Sequence, residues 1–140
     1  RFIQSLPASI YVYLLGAPGD KDLCEKIRSE SANPNVTNFA GELSFLESAA
    51  LQKDARMNYV NDSAPMHFAS SVNAPVAAVY CSTIPAFGFG PLSDNSHIIE
   101  ILQPLACRPC GLHGKKACPL GHFHCAQLIE NEQLLEVLSY

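Results

Sequence analysis

No apolar run in this chain approaches the roughly 20 residues of a membrane-spanning helix, so no stretch of it reads as one. Charge is also sparse, at 16% of residues, and positive charge is the scarcer kind: nine Lys and Arg stand against thirteen Asp and Glu, a net −4. That balance excludes a general nucleic-acid binder, which needs a basic face to meet phosphates. No start methionine and no secretory leader opens the chain; Arg1 reads as lying in the tail of a helix, and a piece of a longer protein is expected. What is present is 140 residues with 48% hydrophobic content, enough for a single domain with a real core. A chain so rich in Ile, Val and Leu has no need of disulfide staples, so its six cysteines do not point to a secreted scaffold.

Along the chain, extended and helical patterns alternate. Ile10–Leu15 is a continuous apolar and aromatic run, expected to form a strand buried on both faces. Gly16-Ala-Pro-Gly-Asp20 ends it with turn residues, and Asp20 is placed to cap the following helix, whose Leu23, Cys24 and Ile27 share one face. That helix runs to about Ser31 and is broken by Asn33-Pro-Asn35. Val36–Asn38 reads as a short strand and Gly41-Glu-Leu43 leads into a helix. There Ser44 and Glu47 have capping-box spacing, with Leu46, Ala49 and Ala50 as the expected buried face. His97–Leu102 is a last strand and Glu132–Leu138 a terminal helix with Leu134, Leu135 and Leu138 inward. Such alternation predicts βαβ units and a parallel sheet, with ligands beyond the carboxyl ends of the strands. Gly16, Gly41 and Asp62 each follow an expected strand and are expected along one crevice.

The stretch that organises the rest is residues 56–85. Arg56–Val60 reads as a strand, Asn61-Asp-Ser63 as a turn of cap-forming residues, Pro65 as an early helical residue and Met66–Val72 as a helix. Val76–Tyr80 follows as a second buried strand. A strand that feeds a helix N-terminus leaves N–H groups with partial positive charge facing outward, a natural seat for phosphate, and His67 lies close to it. The same residues have plainer readings. Asp62 and Ser63 suit a simple helix cap, His67 a core histidine, Glu47 the capping box and Gly16 an ordinary turn.

Four of the six cysteines fall within nineteen residues, as Cys107-x2-Cys110-x7-Cys118-x6-Cys125. Four thiolates led by C-x-x-C suit a tetrahedral zinc ion, with His113, His122 or His124 able to replace one; an iron–sulfur cluster uses similar spacing. A reduced irregular loop, or disulfides formed on oxidation, stay open beside these. Cys24 and Cys81 read as small core residues. Residues 101–129 hold Arg108, Lys115 and Lys116 and no carboxylate, a basic loop that suits phosphates or simply a solvated surface.

Asp62-Ser-Ala-Pro-Met-His67-Phe-Ala69, with Pro75-Val-Ala-Ala-Val-Tyr80 and the Thr83-Ile-Pro85 turn, resembles the signature of glycosyltransferase family 9, the lipopolysaccharide heptosyltransferases. Leu14-Leu-Gly16 with Asp20, and Leu46–Leu51, look like that family's first strand and ribose-side helix. The resemblance implies an α/β fold: a Rossmann-like parallel sheet with flanking helices, the C-terminal half of a two-domain GT-B enzyme. It implies a Rossmann-like core at 1–106, a Cys-rich loop at 107–125 and a C-terminal helix at 126–140, with the acceptor-binding N-terminal domain absent. Nucleotide-sugar binding is then expected at Asp62, Ser63, Ala64, Met66, His67 and Thr83, with Glu47 on the ribose and Gly16 at the first turn. No catalytic residue is expected in this chain; the family's catalytic aspartate belongs to the other domain. The implied donor is ADP-heptose or a relative and the acceptor a lipopolysaccharide core, with no metal required for transfer and a structural zinc at Cys107, Cys110, Cys118 and Cys125 as an added possibility. The implied setting is cytoplasmic, at the inner face of the inner membrane, with peripheral membrane association. Ala64 departs from the family's glycine, and the family's lysine-bearing strand lies before Arg1. From a different class, a non-catalytic metal-binding or interaction module built on Cys107–Cys125 is the alternative.

Overall fold

The structure, a computed structural model, describes residues 1–138. Two compact units make it up, the first Arg1–Ser48 and the second beginning at Ala49.

In the first unit a short helix α1 (Phe2–Ser5) precedes β1 (Val12–Leu14), α2 (Lys21–Glu30) and β2 (Val36–Asn38). The strands pair in parallel, Val12 opposite Val36 and Leu14 opposite Asn38. Asp20 does not cap α2 through its side chain. Its Oδ2 instead accepts the Ala17 N–H at 2.9 Å and tightens the turn before the helix. A Cβ on Gly16 would lie 2.8 Å from Asp20 Cβ, so this turn requires a residue without one. Past α2, Asn33 Oδ1 accepts the Asn35 N–H at 2.9 Å, a local side-chain turn that breaks the helix and aims the chain into β2. The expectation of a strand buried on both faces is not met: within this chain Tyr13 is 46% exposed, because β1 has one strand partner and α2 packs against only part of the pair. Leu23 and Ile27 are likewise exposed, and Cys24 is the residue of α2 that is buried.

The helix α3 (Phe45–Lys53) starts in the first unit and runs past its end. Its start is set by the Ser44–Glu47 capping box, with Glu47 Oε2 accepting the Ser44 N–H at 2.8 Å and the hydroxyl at 2.7 Å. The buried face is Ala49 and Gln52, whereas Leu46 is 84% exposed and Ala50 is also exposed, against the face expected from the sequence. A cap fixes where a helix begins; its roll about the axis is decided by what it packs on.

The second unit continues with β3 (Asn58–Asn61), α4 (Ala64–Ser71), β4 (Val76–Tyr80) and β5 (Ser96–Glu100). The three strands are parallel in the order β3-β4-β5. The parallel pairing is as expected, in two ladders, one in each unit. As the middle strand, β4 is covered on both faces, and Val76, Ala77, Ala78 and Tyr80 are all fully buried. The core gathers Val60, Met66, Ala69, Ala74, Val76, Ala78 and Tyr80. Its alanines let α4 lie close to the sheet, while Met66 and Tyr80 fill the volume. Each large side chain buried this way contributes about 1.5–3 kcal/mol. The Tyr80 hydroxyl, drawn into that core, donates to the Phe89 carbonyl at 2.7 Å, so its burial leaves no unmet polar group.

Beyond β5 the chain is irregular until two short helices, α5 (His124–Gln127) and α6 (Asn131–Glu136). Leu138 is buried and Leu134 and Leu135 are half-buried, while Ser139 and Tyr140, the end of the expected C-terminal helix, lie outside the described residues. Among the described residues no helix is long and apolar enough to cross a membrane.

Candidate functional site

The carboxyl ends of β3 and β4 lie side by side, with Asn61 opposite Val79, and the turns that leave them carry Asp62 and Thr83. The Thr83 hydroxyl donates to Asp62 Oδ2 at 2.9 Å, joining two residues that are twenty-one positions apart. Thr83 is buried and Asp62 half-buried. Since that hydroxyl proton is committed to Asp62, it is not available to a phosphate, as the sequence had suggested. Asp62 itself offers no donor; with Oδ2 engaged, Oδ1 is the oxygen left to accept hydroxyls from a ligand.

Ser63 is the N-cap residue of α4, with an extended backbone and no capping bond from its side chain, so the plain cap reading is not what the fold uses. Ala64 opens the helix and is not among the residues of positive φ, so this position makes no conformational demand for glycine. In the first turn Pro65 has no N–H, and the Met66 N–H is donated to the Ser63 carbonyl at 3.1 Å. Among the described residues the Ala64 N–H has no hydrogen-bond partner, and it lies at this helix end beside the Ser63 hydroxyl. Met66 is a correction to the expected set: its N–H is engaged and its side chain is fully buried, with the Tyr80 hydroxyl 3.5 Å from the sulfur. His67 is exposed one residue further on, rather than held in the core. Asp62, Ser63, Ala64, His67 and Thr83 thus share one corner of the second unit.

Glu47 and Gly16 belong to the first unit. The Glu47 carboxyl is held below the usual carboxylate range, chiefly by the Ser44 N–H and then by the Ser44 hydroxyl, which commits one of its oxygens to the cap. Gly16 and Gly41 do meet: the Gly41 N–H donates to the Gly16 carbonyl at 2.9 Å.

The Cys-rich loop packs directly on the Thr83 turn. The Cys110 N–H donates to the Ser82 carbonyl at 2.8 Å, and the α-carbon of Gly114 passes so near that a Cβ there would lie 2.6 Å from Ser82 Oγ. Arg108 is not the solvated cation its sequence context suggests. Its guanidinium donates to the Cys81 carbonyl at 2.8 Å and the Thr83 carbonyl at 2.9 Å, and pairs with Glu100; only 11% of the side chain is exposed. The sequence marked this residue only as part of a basic loop, not as a buried clamp on the Thr83 turn.

All six cysteines are free. Cys107, Cys110 and Cys118 border an open hollow of about 460 Å³ that also takes in Lys115, and Cys110, Cys118 and Cys125 border a second, smaller one with Ser82. Among the described residues, however, no three Cys, His, Asp or Glu side chains are grouped so as to hold a metal ion, so the zinc expectation gains no support from the geometry. The thiols differ in character. Burial pushes Cys125 and Cys81 up, with neighbouring thiols adding to it. Cys118 is drawn down by the Phe123 N–H, 3.4 Å from its sulfur, and by the N–H groups of Leu120, Gly121 and His122. A lowered pKa means more thiolate at neutral pH, and thiolate is the reactive form. Iodoacetamide at pH 7 is expected to alkylate Cys118 ahead of Cys125 and Cys81. Time-resolved peptide mass spectrometry checks the order, and earlier labelling of Cys125 would mean the Cys118 sulfur is not held by those N–H groups.

Residues 5–122 match the family model described as glycosyltransferase family 9 (heptosyltransferase). The chain is similar to lipooligosaccharide heptosyltransferase 2 of Haemophilus influenzae, 34% identical over 95 residues that cover 66% of this chain and 27% of that protein. It is also similar to lipopolysaccharide heptosyltransferase 3 of Escherichia coli, 34% identical over 96 residues covering 66% of this chain and 28% of that protein. The chain therefore spans little more than a quarter of the length of these curated relatives. Among solved structures, the glycosyl transferase family 9 protein of Veillonella parvula matches with a TM-score of 0.71 at 21% identity, over 91% of this chain and 35% of that one. ADP-heptose lipopolysaccharide heptosyltransferase II of E. coli matches with a TM-score of 0.62 at 24% identity, over 91% of this chain and 36% of that one. At those identities the two structures speak for the fold, and the fold agrees.

Proposed function

The chain belongs to glycosyltransferase family 9, and from that premise we propose that its second unit binds a nucleotide-sugar donor, ADP-heptose or a close relative, for transfer to a lipopolysaccharide core. The observation that carries this reading is the Asp62–Thr83 hydrogen bond, which fixes two strand ends beside the N-terminus of α4. The chemistry divides cleanly between the residues. The Ala64 N–H, the Ser63 hydroxyl and His67 supply what a diphosphate needs, hydrogen-bond donors and positive potential, and they do so without metal. Asp62, which has only acceptor oxygens, suits the hydroxyls of the sugar. No catalytic group is assigned to this chain; on this reading catalysis and the acceptor belong to a companion N-terminal domain, at the cytoplasmic face of the inner membrane.

Titration calorimetry of the full chain with ADP and with ADP-heptose tests it. Both are expected to bind in the micromolar to millimolar range. Asp62→Ala is expected to weaken ADP-heptose about tenfold and ADP much less, since the loss falls on sugar hydroxyls. Absence of binding by the parent chain would sink the donor reading, and equal losses for the two ligands would remove Asp62 from the sugar. The way the Cys-rich loop is built into the Thr83 turn supports one binding unit over a separate interaction module.

A further inference from the structure

We propose that Arg108 is a positioning residue for this site: it holds the Thr83 turn so that the Thr83 hydroxyl meets Asp62 and orients that carboxylate for the donor. The inference rests on the donor-binding reading and deepens it. Three consecutive carbonyls leave β4 in this turn, those of Cys81, Ser82 and Thr83, and all three are held by the segment 108–110. The Arg108 guanidinium takes the first at 2.8 Å and the third at 2.9 Å, and the Cys110 N–H takes the second at 2.8 Å. Carbonyls at a strand end usually bond to water and leave the turn free to rock. Here the turn is held through its carbonyls while its one functional bond, Thr83 Oγ1 to Asp62 Oδ2, is made by a side chain.

The choice of arginine follows from the geometry. A planar guanidinium presents donors in a rigid fork, so one side chain reaches the Cys81 and Thr83 carbonyls, the Tyr80 carbonyl at 3.5 Å and a carboxylate together. The carboxylate is Glu100, at the end of β5 and opposite Tyr80 in the ladder, so the same side chain also ties β4 to β5 at their carboxyl ends. With Glu100 half-exposed and Arg108 nearly enclosed, the cation has a partner and needs no water. Arg108 does not have to touch the ligand. Its effect passes through Thr83 to Asp62, the residue assigned to the sugar.

A double-mutant cycle on the full chain tests this, with ADP and ADP-heptose as probes and dissociation constants from calorimetry. Thr83→Val and Arg108→Ala are each expected to weaken ADP-heptose about tenfold and ADP less than about twofold, and the double variant is expected to lose about tenfold rather than a hundredfold, because both act through one bond. A merely structural role would lower both ligands alike and would add to Thr83→Val; either result overturns the inference. Should Arg108→Ala fail to fold, Arg108→Lys keeps the charge and loses the fork. It is expected to show the same ADP-heptose selectivity, with a loss of about fivefold, and unaltered binding would overturn the proposal equally. If the parent chain binds neither probe, the donor reading falls and this inference falls with it. If the parent binds and the variants match it, only Arg108 is removed.

Discussion

Met66→Ala is expected to destabilise the second unit by about 2–5 kcal/mol, the range for removing most of a long buried side chain without collapse of the cavity. Met66 is 0% exposed and sits among Val60, Ala69, Ala74, Val76, Ala78 and Tyr80. Four of those neighbours are short or β-branched and belong to α4 or the sheet, so no flexible side chain stands ready to fill the space. Urea denaturation followed by circular dichroism gives the difference. Met66→Leu, which nearly conserves volume, is expected to cost less than about 1.5 kcal/mol. The change also reaches the site, because Met66 is the residue that pins the first turn of α4 to the sheet while Ser63, Ala64 and His67 ride on the other side of that turn. ADP affinity is therefore expected to fall in Met66→Ala even at temperatures where the unit is still folded. A loss below about 0.5 kcal/mol would mean the helix end is held by something other than this side chain.

Met66 also illustrates what the sequence could and could not convey. It lies inside the motif that marked the site, and proximity along the chain suggested a ligand contact; helical spacing with Ala69 turned it inward instead. β4 was legible to the residue, since five consecutive apolar residues between a proline turn and Cys-Ser-Thr leave a central strand little choice. The turn carrying Asp62 was legible from its own residues, since Asn61-Asp-Ser63 followed by Pro65 suits a passage from strand to helix. The face of α3 was not, because the Ser44–Glu47 pair sets the start of the helix and says nothing about its roll. Arg108 was read only as one charge of a basic loop, and its buried role was hidden for a different reason. Its partners include the carbonyls of Cys81 and Thr83, and every residue has a carbonyl, so no pattern of side chains announces the contact. The Thr83 hydroxyl was expected to face a phosphate, whereas it donates to Asp62, and only coordinates give a hydrogen bond its direction.

Gly41→Ala is expected to destabilise the first unit by about 2–5 kcal/mol, combining the cost of a side chain in the left-handed region with that of a backbone clash. Gly41 has φ +76°, and a Cβ placed there would lie 2.8 Å from Pro18 Cα. The obstacle is main chain, in a turn that Pro18 stiffens, so it cannot be relieved by turning a side chain aside. The Gly41 N–H to Gly16 carbonyl bond must open for the two turns to part, and the turn before α2 opens with it. Gly16 is crowded on its own account by Asp20, so the two glycines mark the closest approach of two strand-end turns. That accounts for both glycines by packing alone. The measurement is guanidinium unfolding of the parent chain, Gly41→Ala and, as a control, Gly19→Ala, where a Cβ would meet nothing within 4 Å. A tolerated Gly41→Ala would show that the turns can separate at little cost, and Gly16 would then be free to serve a ligand; a loss confined to Gly41 assigns the pair to the architecture of the first unit.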